Sequence, residues 1–155
     1  MKRIAAVAAL ALSLSALRSS HAGAPFDQYN DFTGTDTQIT DRKTALTWLR
    51  RPTSGVSLDA SATFCNSLAP AGTWRVPSAK EALTLVDEDA HQEYVGSRLL
   101  SRFIDQAAFG TYVDDQFWTS SKEGGQAFVL DIKFATLTLQ RTDNALSVRC
   151  VKNAT

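Results

Sequence analysis

The sequence contains few of the residues that metal sites and catalytic sites require. It has two histidines and two cysteines among 155 residues, and His21 lies in the leader segment described below. A zinc site needs several such ligands, so we expect none. A Ser-His-Asp arrangement could use only His91, which lies in an acidic stretch without the Gly-x-Ser-x-Gly nucleophile motif. The sequence therefore predicts no catalytic residues, no metal and no cofactor.

An excess of basic residues is also absent, because Lys and Arg together number 16 and so do Asp and Glu. Removal of the leader takes away three basic residues and no acid, which leaves a net charge of −3. No basic cluster is denser than the pair Arg50-Arg51, which cannot neutralise many phosphates. We therefore expect no binding to nucleic acid.

The only long hydrophobic run lies at the N-terminus. The segment begins Met-Lys-Arg, continues with an apolar run of about fourteen residues over 4–17, and reaches Ser-His-Ala at Ala22. This order is typical of a secretory signal peptide, and the run is too short to span a bilayer comfortably. We predict a signal peptide over 1–22, with cleavage after Ala22 or alternatively after Ala24, and a periplasmic or secreted protein that is not integral to the membrane.

Two cysteines, Cys65 and Cys150, remain in the processed chain. In an exported protein an even pair is most simply a disulfide. The bond would close a loop of about 85 residues and stabilise the fold by roughly 4–5 kcal/mol in the chain-entropy model. The alternative is a pair of free thiols, one of them catalytic, although no neighbouring histidine or cationic cluster would lower a thiol pKa.

A short segment around Trp74 predicts a corner between a strand and a helix. Pro77 disfavours helix at the preceding residue, so residues 74–76 should be extended. Ser78 is a typical helix N-cap, and Glu81 three residues later completes a capping box. We interpret all four residues, together with Trp48 in an earlier strand, as structural.

The remaining periodicity predicts one domain over 41–155, preceded by an extended arm without a helix over 23–40. We predict a strand over 44–49, a helix that is capped by Ser57, runs through residue 68 and points Cys65 inward, and a second helix over 79–87. Apolar residues at 95, 99 and 103 suggest a third amphipathic helix. Alternating residues over 128–134 and 137–139 predict a hairpin, and residues 148–151 a closing strand.

Helices gathered early and antiparallel strands gathered late indicate an α+β domain, with two to three helices packed on the strands and one disulfide. Residues 87–93 are acidic with one histidine, and two interpretations are open for them. They could form a cation site, because hard ions prefer several carboxylates, or a solvated helix end or loop. The spacing fits no calcium-binding loop and includes no glycine.

Several motifs follow one another as they do in a known bacterial family. They are residues 43–48 (Lys-Thr-Ala-Leu-Thr-Trp), the helix cysteine with residues 74–78 (Trp-Arg-Val-Pro-Ser), residues 104–109 (Ile-Asp…Phe), residues 117–121 (Phe-Trp-Thr-Ser-Ser), the alternating residues 127–131, and residues 148–151 (Val-Arg-Cys-Val). In this order they resemble the Lcl C-terminal domain family, a family of unknown function named after the C-terminal domain of a collagen-like adhesin.

The resemblance implies a C-type-lectin-like fold, in which a bridge from the first helix to the last strand would join Cys65 and Cys150. Animal-type lectins of this fold hold calcium and sugar with Glu-Pro-Asn or Gln-Pro-Asp and a later Trp-Asn-Asp, and neither motif occurs here. Calcium-dependent sugar binding is therefore not implied. The hairpin at residues 134–136 also lacks the usual turn glycine, and the segment 87–102 is longer than the resemblance leads us to expect.

From these observations we expect an exported, non-catalytic binding module that recognises a partner protein or glycan at the cell envelope. Its binding surface should lie near the loops that flank Trp118, with a polar rim of Asp114, Asp115, Lys122, Glu123 and Arg141. Core packing is the alternative for Trp118, and a solvated turn is the alternative for the aspartates. Two other functions stay open: a structural or assembly subunit of an envelope or appendage complex, and an enzyme related to formylglycine-generating proteins, which share a related fold.

Overall fold

The structure is a computed structural model that describes residues 27–29, 37–110 and 114–154. The predicted signal peptide and most of the predicted arm lie outside these residues. Three helices are present in the described part, α1 (Leu58–Ser67), α2 (Ala79–Leu83) and α3 (Gln106–Phe109). The strands are β1 (Gln38–Asp41), β2 (Leu46–Leu49), β3 (Thr53–Val56), β4 (His91–Val95), β5 (Arg98–Arg102), β6 (Gln116–Glu123), β7 (Gln126–Asp131), β8 (Thr136–Arg141), β9 (Leu146–Val148) and β10 (Val151–Asn153).

The strands of the described residues form three sheets. A three-stranded sheet has the order β1-β2-β10, a five-stranded sheet has the order β3-β9-β6-β7-β8, and β4 and β5 form a separate hairpin. Every pairing is antiparallel except that of β6 with β9. The α+β class is therefore confirmed, and β1 extends across the predicted boundary between arm and domain.

The C-terminal segment joins the two larger sheets. Strand β9 lies in the five-stranded sheet, and β10 pairs with β2 in the other. Between them lies Arg149, which is almost fully buried and stacks its guanidinium over the rings of Phe109 and Phe117 at 4.8 and 5.4 Å. It also donates hydrogen bonds to the carbonyls of Leu49 and Arg50. A buried cation is tolerated here because aromatic faces and carbonyl oxygens replace its water.

The predicted disulfide is confirmed. Cys65 of α1 and Cys150 form an S–S bond of 2.03 Å across 85 residues, and both are fully buried. The bond lies in a core between α1 and the five-stranded sheet, beside Trp74 and Trp118. A second core, around Trp48 and Phe109, lies beneath the three-stranded sheet.

The helix starts follow from local side-chain chemistry. The Ser57 hydroxyl accepts from the Ala60 N–H and caps α1, as predicted. The Ser78–Glu81 capping box of α2 is also present, with both reciprocal bonds. Helix α2 ends at Leu83 rather than near Asp87, because the chain turns at Thr84, whose N–H bonds the carbonyls of Glu81 and Ala82. The unpredicted helix α3 begins after its N-cap, Asp105.

The prediction of a third amphipathic helix over residues 95–104 is wrong. This segment contains part of the β4–β5 hairpin, in which Tyr94 lies opposite Leu99 and Val95 opposite Arg98. Gly96, with φ +63°, occupies the first position of the two-residue turn, a position that favours glycine. The helix-like spacing of these apolar residues is therefore a coincidence, because the segment forms a hairpin.

Two hairpin turns use alanine where the backbone favours glycine. Ala45 has φ +55° and Ala135 has φ +53°. In each turn an aspartate, Asp41 or Asp131, accepts the N–H of the lysine two residues later, at 2.8 and 3.0 Å. The β1–β2 turn therefore takes up the start of the predicted strand over 44–49, and β7 ends at Asp131 instead of continuing to residue 134.

Candidate functional site

Trp118, near whose flanking loops the binding surface is predicted, has 0% of its surface exposed. Its indole N–H donates to the Val56 carbonyl at 2.8 Å, which satisfies its polar atom inside the core. Phe117 is also buried, because both faces of β6 are covered. Trp118 is therefore a core residue, which was the alternative interpretation. A binding surface, if it lies in this region, must be formed by other residues.

The five predicted rim residues do not form one cluster. Asp114 and Asp115 precede the start of β6, whereas Glu123 ends it and lies in register with Gln126, which in turn pairs with Arg141. A strand rises about 3.3 Å per residue, so these two groups are separated by roughly 20–25 Å. They lie at opposite ends of the five-stranded sheet.

Glu123 and Arg141 are both exposed and line neither of the two cavities described below. Arg141 donates two hydrogen bonds to the Asp143 carboxylate, at 2.7 and 3.0 Å. This ion pair raises the pKa of Arg141 and lowers the pKa of Asp143. Such an exposed pair contributes little to stability.

A polar cleft of about 400 Å³ lies at the end of the sheet where β6 begins. Its lining includes Asp114, Asp115, Asp131, Lys133 and the aromatic ring of Phe134, which is 61% exposed. The carboxylates are positioned by hydrogen bonds: Ser54 donates to Asp114, Arg102 donates to Asp115 at 2.7 Å, and Gln116 donates to Asp131 at 3.0 Å.

An apolar groove of about 430 Å³ runs between α1 and β6. Its floor consists of Leu58, Trp74 and Val76, all buried. One wall is a face of α1 and the other belongs to β6 and the corner before α2; the wall residues are Asp59, Ala62, Asn66, Arg75, Ser120 and Lys122. Lys122 is therefore the one predicted rim residue that lies in this groove.

Trp74 is fixed in the groove floor from several directions. Its indole N–H donates to the Ala69 carbonyl at 3.1 Å, and the Lys152 ammonium lies 4.7 Å from the centre of its ring. The sequence indicated a structural role for Trp74 but not a position beside a cavity. This position depends on how α1 packs against the corner before α2, and no local sequence pattern specifies that packing.

The charged side chains of the groove differ in their environment: Arg75 is in an ion pair, whereas Asp59 and Lys122 are exposed. Arg75 donates two hydrogen bonds to the Glu81 carboxylate, at 2.7 and 2.6 Å. This pairing, with further bonds from Ser78, lowers the pKa of Glu81 to about 2 despite its partial burial, and it raises the pKa of Arg75. Asp59 and Lys122 are exposed on opposite walls, so the groove presents one negative and one positive side chain across an apolar floor.

Within the described ranges, no group of three or more His, Cys, Asp and Glu residues is arranged to hold a metal ion. In the acidic stretch, buried Asp87 contacts the His91 ring nitrogen Nε2 at 2.8 Å. Both cysteines are in the disulfide. None of the three described helices is long and apolar enough to cross a membrane.

Comparison with known proteins adds one family. A family model described as the Lcl C-terminal domain matches residues 37–152, which extend from the start of β1 into β10. Neither the curated proteins nor the solved structures contain a match to this chain.

Proposed function

The chain belongs to the Lcl C-terminal domain family, and from this premise we propose that it is an exported, non-catalytic binding module that recognises a protein partner at the cell envelope. The observation that carries the proposal is the apolar groove between α1 and β6. Its fold is proposed to be C-type-lectin-like, a proposal supported by the bridge from the first helix to the C-terminal segment.

The groove fits an apolar side chain of a partner protein. Its volume of about 430 Å³ lies in the range of ligand pockets, and its floor is aromatic and aliphatic. Asp59 and Lys122 on opposite walls would fix the orientation of a bound segment, because a partner with its charges reversed would meet like charge on both sides. Floor and rim together have the anatomy of an interface centre, apolar in the middle and polar at the edge.

The polar cleft supports a glycan as the second candidate ligand. A sugar presents hydroxyl donors and an apolar ring face, and the cleft offers carboxylate acceptors on Asp114 and Asp115 beside the exposed ring of Phe134. The two candidates use opposite ends of the sheet, so they can be tested independently.

A non-catalytic role is supported by the state of the reactive side chains. An enzyme related to formylglycine-generating proteins would need a reactive pair of cysteines, but Cys65 and Cys150 are bonded to each other and fully buried. His91 is held by the buried carboxylate of Asp87. Titration of thiols under denaturing, non-reducing conditions should find none, and two free thiols would reopen the enzymatic alternative.

Export is supported by the leader-like N-terminus and by the disulfide, which forms and persists in oxidising compartments. N-terminal sequencing of the protein recovered from the periplasm or medium should begin at Gly23. Recovery of the intact chain in the cytoplasm alone would contradict this part of the proposal.

The groove is tested by a pair of matched substitutions on α1. Ala62→Phe places a ring in the groove, whereas Ala60→Phe places the same ring on an exposed position of the helix outside it. In pull-downs from envelope extract, the wild type and Ala60→Phe should retain the same partner and Ala62→Phe should lose it, with unchanged melting temperatures. Equal capture by all three proteins would refute the groove as the contact surface.

The glycan candidate is tested on a glycan array with Phe134→Ala and Asp114→Asn, against Tyr94→Ala as an exposed aromatic outside the cleft. Loss of a glycan signal in the first two variants alone would support the cleft. If every glycan and every envelope protein is negative for the folded wild type, the binding module proposal fails. Co-migration with a large complex would then favour the alternative role as an assembly subunit.

A further inference from the structure

One edge of β6 is open where the strand lines the apolar groove. Strand β9 pairs with β6 only at Phe117, and further along this edge the Ser120 N–H donates to the Pro77 carbonyl at 2.7 Å. Beyond Ser120 the strand continues to Glu123. Among the described strands, only β7 pairs with this end of β6. The groove wall therefore includes an uncovered strand edge.

The backbone of Lys122 points out of this open edge. Glu123 lies opposite Gln126 across the two-residue turn 124–125, and the residues that flank such a turn are joined by a hydrogen bond. Hydrogen-bonded and non-hydrogen-bonded pairs alternate along antiparallel strands, so the next pair, Lys122 with Ala127, is not hydrogen-bonded. The N–H and the carbonyl of Lys122 consequently point away from β7. In the described part of the chain, no backbone hydrogen bond outside the strand pairings reaches either group.

The charged side chains of the two groove walls are unpaired. Asp59 of α1 and Lys122 of β6 are both exposed. Among the residues that the structure describes, neither side chain is in an ion pair, whereas Arg75 is paired with Glu81. The groove therefore presents one uncompensated negative charge and one uncompensated positive charge, on either side of its apolar floor.

We propose that the groove binds an extended peptide segment of the partner, which adds a short strand to β6 at Lys122. This inference rests on the proposed function and specifies the chemistry of the ligand. The backbone of the segment exchanges two hydrogen bonds with the N–H and the carbonyl of Lys122. One apolar side chain of the segment covers the groove floor, an acidic side chain lies beside Lys122, and a basic side chain lies beside Asp59.

The observations favour an extended segment over a helix or a glycan. A helix has its backbone groups bonded internally, so it can fill the floor but leaves the Lys122 N–H and carbonyl without partners. A neutral glycan offers hydroxyl groups but no charge for either wall, and it meets a floor of buried Leu58, Trp74 and Val76. Only an extended peptide matches the backbone edge, the floor and both charges.

The proposal is tested by fluorescence polarisation on the processed protein, purified after export, with a set of labelled heptapeptides as probes. Each peptide carries one leucine, one lysine and one glutamate, in every order, on a background of threonine, which favours extended conformations. A subset should bind more tightly than the all-threonine peptide. In the best peptide, methylation of the backbone nitrogens one at a time should weaken binding about threefold or more at one position, because one hydrogen bond is lost.

Charge reversal tests the two walls. Asp59→Lys should weaken binding of the best peptide about threefold to tenfold, and exchange of the peptide's lysine for glutamate should restore its binding to this variant. Lys122→Glu should respond in the same way to lysine in place of the peptide's glutamate. Glu88→Lys makes the same change of charge as Asp59→Lys at an exposed position outside the groove, and should bind like the wild type. Circular dichroism should show that all three variants fold, because the three side chains are exposed.

A wild type that binds no peptide of the set more tightly than the all-threonine peptide would overturn the proposal. So would methylated peptides that all bind equally, or charge reversals that the exchanged peptides do not compensate. The groove proposal fails separately, if Ala62→Phe keeps the partner in the pull-down from envelope extract. If Ala62→Phe loses that partner but Asp59→Lys and Lys122→Glu retain it, the groove is the contact surface and the extended-peptide proposal alone is wrong.

Discussion

Substitution of Glu81 by glutamine isolates the charge of one carboxylate that has two structural roles. Glu81 accepts hydrogen bonds from the Ser78 N–H and hydroxyl, at 2.8 and 2.9 Å, and it also accepts both bonds from Arg75. A glutamine at this position of a capping box can still accept from the N-cap N–H. Glu81→Gln therefore keeps the cap and removes the ion pair.

The size of the effect follows from the pKa of Glu81, which falls from an ordinary 4.5 to about 2 in the folded protein. At 1.36 kcal/mol for each unit, the shift corresponds to about 3 kcal/mol at most. The Arg75 side chain is 45% exposed, so solvent screening reduces this to about 1–2 kcal/mol. Because the folded pKa is depressed, the stabilisation is present above the unfolded pKa and is lost as pH falls through the folded value.

The assay is urea unfolding of the wild type and Glu81→Gln at a series of pH values from neutral to acid, with the disulfide intact. We expect Glu81→Gln to be less stable by about 1–2 kcal/mol at neutral pH. The difference should shrink between pH 4.5 and about 2, where Glu81 of the folded protein becomes protonated. Glu123→Gln, an exposed acid at the tip of the β6–β7 hairpin, is the control and should change little. A difference that is independent of pH would refute the reasoning.

Three further variants test the disulfide, one turn and the core. Cys65→Ala with Cys150→Ala should lower the free energy of unfolding by roughly 4–5 kcal/mol, because the bond closes a long loop of the unfolded chain; denaturant titration measures it, and a loss below 1 kcal/mol would contradict the loop model. Ala135→Gly relieves a positive φ that costs about 1–2 kcal/mol and adds about 0.4–1 kcal/mol of unfolded-chain entropy, so a net gain of about 0.5–1 kcal/mol is expected as a higher melting temperature; a lower one would contradict it. Trp118→Ala should cost about 3–5 kcal/mol through the cavity it leaves, whereas an unchanged denaturation midpoint would argue against a core position.

Features with a local cause could be predicted from the sequence. The Ser78–Glu81 capping box and the Ser57 cap depend on side chains a few residues from the backbone groups they bind, so the pattern alone specifies them. The disulfide could be predicted for a different reason. The sequence contains only two cysteines, and Cys65 lies on the apolar face of its helix.

Features with a distant cause could not be predicted. Apolar residues spaced by four suggested a helix over 95–104, but Gly96 at φ +63° supplies a two-residue turn that makes the same segment a hairpin. For Trp118 the sequence left two interpretations open, a place beside the binding surface and core packing. Core packing is what the structure shows, because β6 is covered on both faces. The alternation over 128–134 predicts a strand that continues through Phe134, whereas Phe134 lies in the exposed turn after β7.

The candidate site was predicted only in part for the same reason. Asp114 and Asp115 do line a cavity, and Lys122 lines another, but the sequence gives no sign that the length of the sheet separates them. The groove floor comes from three segments, α1, the corner after it and β6, whose contact depends on tertiary packing.

The position of the C-terminal segment has a consequence for the order in which the chain can fold. Residue Val151 pairs with Trp48 and forms a bridge with Arg75, Cys150 is bonded to Cys65, and β9 lies between β3 and β6. Strands β2, β3 and β6 and helix α1, which are synthesised earlier, therefore lack part of their contacts until the C-terminal segment has been synthesised. A chain that emerges N-terminus first can pair β1 with β2 and β6 with β7 and β8, but it completes neither of the two larger sheets until residues 146–153 are free to join them.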